Sequence, residues 1–151
     1  MSLSAARWTE VTPSQYRWEQ EALQWLRDNL PDQDPWHVWT NCEFMASSGA
    51  IYEVDALVLS PSGLWVVEIK SQVGKLKAED GLWVFDHEGR RSTIENPVFL
   101  ANRKAKALKG VLQAAASGHR DEIPWVAPLV FLSGTGLEFG LSGADSSTML
   151  W

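Results

Sequence analysis

The chain has almost no cysteine, no long apolar run and no excess of positive charge. Cys42 is the single cysteine among 151 residues, so no intrachain disulfide can form and a reducing compartment is the simpler expectation. No apolar run approaches the roughly 20 residues of a membrane-spanning helix, and the N-terminus lacks the apolar stretch of a signal peptide. We therefore expect a cytoplasmic domain that does not contact a membrane.

The net charge of −6 argues against a protein coated with basic residues for nucleic acid. The charge is nevertheless uneven along the chain. By count, residues 1–69 carry three Lys or Arg and ten Asp or Glu, whereas residues 70–151 carry ten and nine. A locally basic face is one interpretation of the second half, and an ordinary solvated surface is the other.

The order of apolar patterns predicts one α/β domain with a mixed central sheet flanked by helices. A capping box beginning at Thr12, with Pro13 at the first helical position, predicts a helix that runs to about Leu30 and that Pro31 ends. A second helix is predicted to begin near Asn96 and to end before residue 117. Strands are predicted at 37–45, 52–59, 64–69, 81–86, 91–94 and 125–133. The last strand follows a helix, so we expect it to pair parallel to an earlier strand.

Three charges interrupt strands that otherwise look like core: Asp55, Glu68 and Lys70. Strict alternation would put residues 53, 55, 57 and 59 on one face and residues 52, 54, 56 and 58 on the other. A short Pro-Ser-Gly turn makes the two strands antiparallel neighbours, so Asp55 and Glu68 are expected side by side. Two carboxylates at that separation repel each other unless a cation or a proton lies between them.

Mg²⁺ fits such a pair of carboxylates, because it takes oxygen ligands and commonly uses one or two carboxylates plus water and phosphate. We expect Asp55, Glu68 and the Ile69 carbonyl to hold Mg²⁺ or Mn²⁺ against a phosphodiester. Lys70 would orient or help to deprotonate the attacking water. The remaining alternative is structural, in which the two carboxylates pair with Lys70 and an arginine at a sheet edge.

The first predicted helix contributes one more candidate. Its apolar stripe contains Ala22, Leu23 and Leu26, and projecting the stripe back by one turn reaches Glu19. Glu21 points roughly 200° away from the stripe at 100° per residue. We therefore expect Glu19 to face the sheet, where it could reach a metal-bound water; a solvent-reaching glutamate is the alternative.

These residues resemble a known motif. Asp55, followed by Glu68-Ile69-Lys70 on the next strand, is similar to the PD-(D/E)xK nuclease motif, and the element order is similar to its restriction-endonuclease-like core. The segments "WEQEALQWL", "GAIYEVDALVLSPSGLWVVEIKSQVGKL" and "NPVFLANRKAKAL" resemble more narrowly the nuclease-related domain, NERD. The sequence departs from many members at Leu100, where they carry glutamine. The second helix offers Asn102, Arg103 and Lys104 instead.

The resemblance implies a metal-dependent nuclease acting on DNA. It extends to the NERD region at the N-terminus of PglW-type serine/threonine kinases, so it implies a bacterial phage-defence module whose partners are a downstream kinase domain and other defence proteins. Two alternatives stay open: a silent nucleic-acid-binding sensor and a protein-docking module. The oligomeric state, including a homodimer, also stays open.

Two further expectations concern boundaries and basic residues. We expect a lead-in at 1–11, the NERD domain at 12–133, and the start of a linker or of the next region of a longer protein at 134–151. Candidate phosphate contacts lie in "KSQVGKLK" and "NRKAKALK", and a solvated surface is the alternative for them. These candidates are Lys75, Lys77, Arg103, Lys104 and Lys106.

Overall fold

The structure, a computed structural model, describes residues 2–134, 136–140 and 149–150. These residues form two main helices and ten strands, apart from two short 3₁₀ turns. In chain order the elements are β1 (Trp8–Glu10), α1 (Arg17–Asn29), β2 (His37–Met45), β3 (Ile51–Ser60), β4 (Gly63–Lys70), β5 (Gly74–Glu79), β6 (Leu82–His87), β7 (Arg90–Glu95), α2 (Pro97–Ala115), β8 (Val126–Leu132), β9 (Leu137–Phe139) and β10 (Met149–Leu150).

Two mixed sheets confirm the predicted α/β class. The larger sheet has the order β1-β2-β3-β4-β8-β10, and the smaller has the order β7-β6-β5-β9. Strands β2, β3 and β4 pair antiparallel, whereas β8 pairs parallel to β4 after the α2 crossover, as predicted. The predicted strands all form, and β2 has the predicted bounds.

The predicted start of α1 is wrong. The helix begins at Arg17 rather than at residue 12, and its N-cap Tyr16 makes no side-chain capping bond. The cause is the preceding strand, because the Val11 amide still donates to the Thr40 carbonyl at 3.0 Å on the sheet edge. The chain must leave the edge of the sheet before it can form a helix, so no helix begins at the capping-box pattern of Thr12. The end of α1 at Asn29, ahead of Pro31, agrees with the prediction.

Four strands were not predicted: β1, β5, β9 and β10. Three of them are only two or three residues long, and β5 is polar in sequence, so none has a clear apolar alternation. Strand β1 pairs parallel to β2, β9 to β5 and β10 to β8. Described parts of both 1–11 and 134–151 are therefore hydrogen-bonded to the sheets, and the proposed domain boundaries stay a prediction.

The two helices cover opposite faces of the larger sheet. Helix α1 packs through Ala22, Leu23 and Leu26 on one core cluster, together with Val58 and Ile69 of the central strands. Helix α2 packs on a second cluster, which contains Leu64, Val66, Ala105 and Leu108. A third cluster joins the smaller sheet to β8 through Leu76, Trp83, Phe85, Val130 and Leu132.

Strict alternation fails where β2 and β3 pass Asn41 and Asp55. Val54 packs in the α2 cluster, while Ala56 packs in the α1 cluster, although alternation would put them on one face. The ladder skips this position, since Thr40 pairs with Ala56 and Cys42 with Val54 but Asn41 and Asp55 are not paired. Asn41 has a left-handed φ of 51°, which re-aims the strand. The sequence-based assignment of faces is therefore wrong N-terminal to Asp55.

Neither of the two main helices is long and apolar enough to cross a membrane, and the same holds for every other described helix.

The caps of the two helices lead to a matched stability test. The Asn96 side chain is buried and its Oδ1 accepts from the Val98 amide at 2.9 Å, so Asn96→Ala should lower the free energy of unfolding by about 1–2 kcal/mol. Thr12→Ala, at an exposed residue outside the helix, should change it by less than about 0.5 kcal/mol. Urea denaturation of both variants makes the comparison. A loss at Thr12 as large as at Asn96 would contradict the observed helix start.

Candidate active site

The candidate site lies where the β3–β4 ladder stops. The two strands pair from Ser60–Gly63 at the turn up to Ala56–Val67. At the next position the Asp55 side chain replaces strand backbone, because its Oδ2 accepts from the Ile69 amide at 2.8 Å. The N–H and C=O of a strand residue point to the same edge, so the Ile69 carbonyl also faces this gap.

Glu68 lies beside the gap and is held from the α2 face of the sheet. It is only 4% exposed, and its Oε1 accepts from the Lys104 ammonium at 2.7 Å. The same ammonium donates to the Glu53 carbonyl. Lys104 is itself 8% exposed, so both ends of this ion pair are buried.

Glu19 approaches from the opposite side, on α1. It is 7% exposed and lines a cleft of about 460 Å³ together with Asp55. The residues of segment 12–16 form the other wall of this cleft. Glu21 is exposed and pairs with Arg17 at 3.0 Å, so the helical register predicted from the apolar stripe is confirmed.

The electrostatics of Asp55 follow from this crowding. The pKa of Asp55 is raised from 3.8 to about 6; burial is the largest cause, and the neighbouring carboxylates of Glu68 and Glu19 contribute to the rise. The hydrogen bond from the Ile69 amide and the ammonium of Lys104 act in the opposite direction. Asp55 therefore exchanges a proton close to neutral pH, unless a cation takes the place of that proton.

The cleft wall is strongly acidic. Its ionisable side chains include four carboxylates, and no Lys or Arg is among the described residues that line it. A polyanion entering this cleft would be repelled in the absence of cations. The four carboxylates belong to Glu19, Glu43, Glu53 and Asp55.

The donor set fits a weakly held, mostly hydrated Mg²⁺ or Mn²⁺. Among the described residues nothing donates to Oδ1 of Asp55 or to Oε2 of Glu68, so these two oxygens have no protein donor there. No group of three His, Cys, Asp or Glu in the described chain forms a ready-made metal cage. Two carboxylates with the Ile69 carbonyl would leave the other positions to water, which Mg²⁺ favours.

The other predicted site residues are dispersed. Lys70 is half-buried on β4, shares the Glu68 face by strand alternation, and does not line the cleft. Lys77 is paired with Glu79 at 3.4 Å and with Asp86 at 3.5 Å.

Two of the predicted phosphate contacts on α2 differ sharply in exposure. Arg103 is exposed and its guanidinium lies 3.4 Å from a Glu95 carboxylate oxygen. Lys104 points inward instead of into solvent, so the expected position of this side chain is wrong. Its spacing from Ala101 and Leu108 puts it on the buried stripe of the helix. Lys75 and Lys106 are exposed.

Sequence reasoning gave Lys104 a phosphate-binding role instead of a place in the site, and it missed Asn41. The sequence does indicate that Lys104 is buried, because the periodicity argument that placed Glu19 on the buried face of α1 also applies to α2. The buried stripe of α2 contains Ala101, Lys104, Ala105 and Leu108. Asn41 lines the cleft together with Asp55, and its buried Nδ2 has no hydrogen-bond partner among the residues that the structure describes. Nothing in the sequence marks Asn41, since its left-handed backbone depends on the break in the sheet.

A mixed α/β core that carries an Asp–Glu pair, a lysine two residues after the glutamate and a helix glutamate is a nuclease-like core. Residues 14–133 match the model of the nuclease-related domain, and the chain belongs to this NERD family. The chain is 41% identical over 142 residues to a Streptomyces coelicolor protein named "Probable kinase PglW". That match covers 93% of this chain but 9% of the relative. No solved structure matches the chain.

The raised pKa of Asp55 gives a prediction for metal-free protein in EDTA. Between about pH 4 and pH 6 the folded protein keeps a proton on Asp55 that the unfolded chain has released, so this residue stabilises the fold as the pH falls and costs stability above pH 6. Asp55→Asn should raise the free energy of unfolding at pH 7.5 by an amount on the order of 2 kcal/mol. The gain should vanish near pH 4.

Denaturant melts at several pH values test this. The control is Asp28→Asn, at an exposed aspartate on α1, which should follow the wild type at each pH. A difference between Asp55→Asn and wild type that does not vary with pH would contradict the predicted titration.

Proposed function

We propose that this domain is a metal-dependent nuclease that acts on DNA phosphodiesters as one module of a larger bacterial phage-defence kinase. The observation that carries the proposal is the meeting of Asp55, Glu68 and the Ile69 backbone at a break in the central sheet, beside a cleft that α1 lines with Glu19. The relative named as a kinase supports the larger context, because the match covers only 9% of it.

Each residue has a role in this proposal. Asp55, Glu68 and the Ile69 carbonyl would hold Mg²⁺ or Mn²⁺. When bound, such an ion lowers the pKa of a coordinated water and stabilises negative charge on phosphate oxygens. Glu19 would accept a hydrogen bond from a water on the cleft side, and Lys70 would orient the attacking water from the Glu68 face of β4.

The acidic cleft makes the order of binding part of the proposal. Four carboxylates repel a phosphate backbone, so the divalent cation enters first and nucleic acid follows. We therefore expect the site itself to bind the scissile phosphate more weakly without the metal than with it. Basic residues elsewhere on the surface would supply the non-specific part of the affinity.

A catalytically silent module is the second candidate function, as a nucleic-acid-binding sensor or a docking domain of the same kinase. The observation that favours it is the Lys104 ammonium bound to Glu68, since the carboxylate already has a cation partner. The two candidates are separated by whether the wild-type domain cuts.

Cleavage of plasmid and oligonucleotide DNA with Mg²⁺ or Mn²⁺ tests the nuclease. Glu68→Ala should abolish cleavage, because it removes a metal ligand. Glu19→Gln should slow it by a factor on the order of 10² or more, the scale of losing a positioned acid–base group. Glu21→Gln is the matched control on the exposed side of α1 and should leave the rate within about twofold.

The pattern of lost cleavage activity among the variants shows which part of the proposal is wrong. A dead Glu21→Gln protein beside an active Glu19→Gln protein would overturn the role given to the buried helix face. Loss in Glu68→Ala alone would restrict the site to the strands. A wild-type domain that cuts nothing with either metal would reject the nuclease and leave the silent module.

Nucleic-acid binding is predicted to involve the exposed residues of α2 and not the buried one. Replacing Arg103 and Lys106 together with alanine should weaken DNA binding and flatten its dependence on salt, because each phosphate contact releases about one counterion. Fluorescence anisotropy at several salt concentrations measures both effects. An unchanged salt slope would assign these two residues to plain surface.

A further inference from the structure

The buried ion pair of α2 and β4 leads to an inference about how the site takes up metal. We propose that Lys104 is the resident cation of the site: its ammonium neutralises Glu68 in the metal-free protein and competes with a divalent cation for that carboxylate. The inference rests on the proposed metal site. It adds that the affinity of this site is set by a residue that neither lines the cleft nor belongs to the strand motif.

The geometry puts Lys104 at the back of the site. Its ammonium lies 2.7 Å from Oε1 of Glu68 and also bonds the Glu53 carbonyl, two residues before Asp55 on β3. Glu19 belongs to the helix on the other face of the sheet, so the two helices bring opposite charges to one gap. Lys104 thus occupies the position of a counter-ion for the strand carboxylates.

The position of Lys104 on its helix shows that packing holds the ammonium beside Glu68. The residue lies between Ala101 and Leu108 on the stripe that α2 buries, and the whole residue is 8% exposed. An ammonium is a compact point charge with three donors, and two of them are satisfied by Glu68 and Glu53. Turning the side chain into solvent would require it to leave the packed stripe.

The competition follows from sharing one carboxylate. A metal ion bound by Oε2 of Glu68 would lie next to an ammonium bound by Oε1, and like charges at that range repel strongly in a partly buried site. The metal must therefore either displace the ammonium or bind against its field. Either route lowers the affinity for metal relative to a site with a neutral side chain at this position.

Calorimetric titration of Mn²⁺ into the metal-free chain tests the inference in the absence of nucleic acid. Lys104→Met keeps an unbranched side chain that is one atom shorter and removes the charge, so it should bind Mn²⁺ at least ten times more tightly than wild type. Lys104→Arg keeps the charge and should bind no more tightly than wild type. Lys109→Met removes an exposed lysine from the same helix and should leave the affinity unchanged.

The outcomes separate this inference from the proposed function. If wild type binds Mn²⁺ and Lys104→Met binds it equally or more weakly, the competition is overturned and the metal site stands. If Lys104→Met binds while wild type does not, the inference is supported in its strongest form, a site closed by its own lysine. If neither binds, both the metal site and the inference are rejected.

A second measurement covers the case in which Lys104→Met does not fold. The ammonium signals of lysine-labelled wild type can be followed by NMR while Mg²⁺ is added, with the Lys104 signal identified by its loss in Lys104→Arg. A Mg²⁺-dependent shift of that signal, larger than for the exposed lysines, supports the competition. A signal that does not change at saturating Mg²⁺ overturns it.

Discussion

The hydrogen bond from the Ile69 amide to the Asp55 carboxylate is the interaction on which the rest of the site depends. The β3–β4 ladder ends at this bond, because the Ile69 amide donates to a carboxylate oxygen instead of to a carbonyl of β3. At the same level of the sheet Asn41 of β2 has a left-handed backbone and does not pair with Asp55 of β3. Beyond this point the side chains of both strands alternate in the opposite sense, so each face of the sheet receives the other set of residues. The gap that results is open to the helix on each side of the sheet, so one broken pair of residues organises charges from four separate elements.

The charges at this gap are balanced incompletely. Glu68 is bound directly to the Lys104 ammonium, whereas for Asp55 one amide hydrogen bond and the field of that ammonium do not offset burial and two neighbouring carboxylates, so its pKa lies near 6. A buried carboxylate without a counter-charge binds either a proton or a cation. The fold thus keeps a centre of negative potential between its two helices at a cost in stability, since burial disfavours the ionised form of Asp55.

Most of the fold was predictable from the sequence, because long apolar runs and their period depend little on context. The antiparallel strands and the parallel β8 follow from such patterns, as does the burial of Glu19. The start of α1 was not predictable from its capping box, since pairing of Val11 with β2 decides where the chain can coil. Lys104 was classed with its basic neighbours in sequence, although its helical phase distinguishes it from them, and the role of Asn41 depends on a break that only the folded sheet contains.

Of the two charged residues on buried helical stripes, Glu19 sets thermal stability against function and Lys104 does not. Leucine or methionine in place of Glu19 would extend the apolar face of α1 and remove one of the carboxylates that crowd Asp55. The same change at Lys104 would leave Glu68 buried without its cation partner, which destabilises the fold. A search for thermostable variants of this domain would therefore be expected to enrich substitutions at Glu19, and with them proteins that fold well but lack a charge of the site. Stabilisation of this scaffold is better directed at positions outside both stripes.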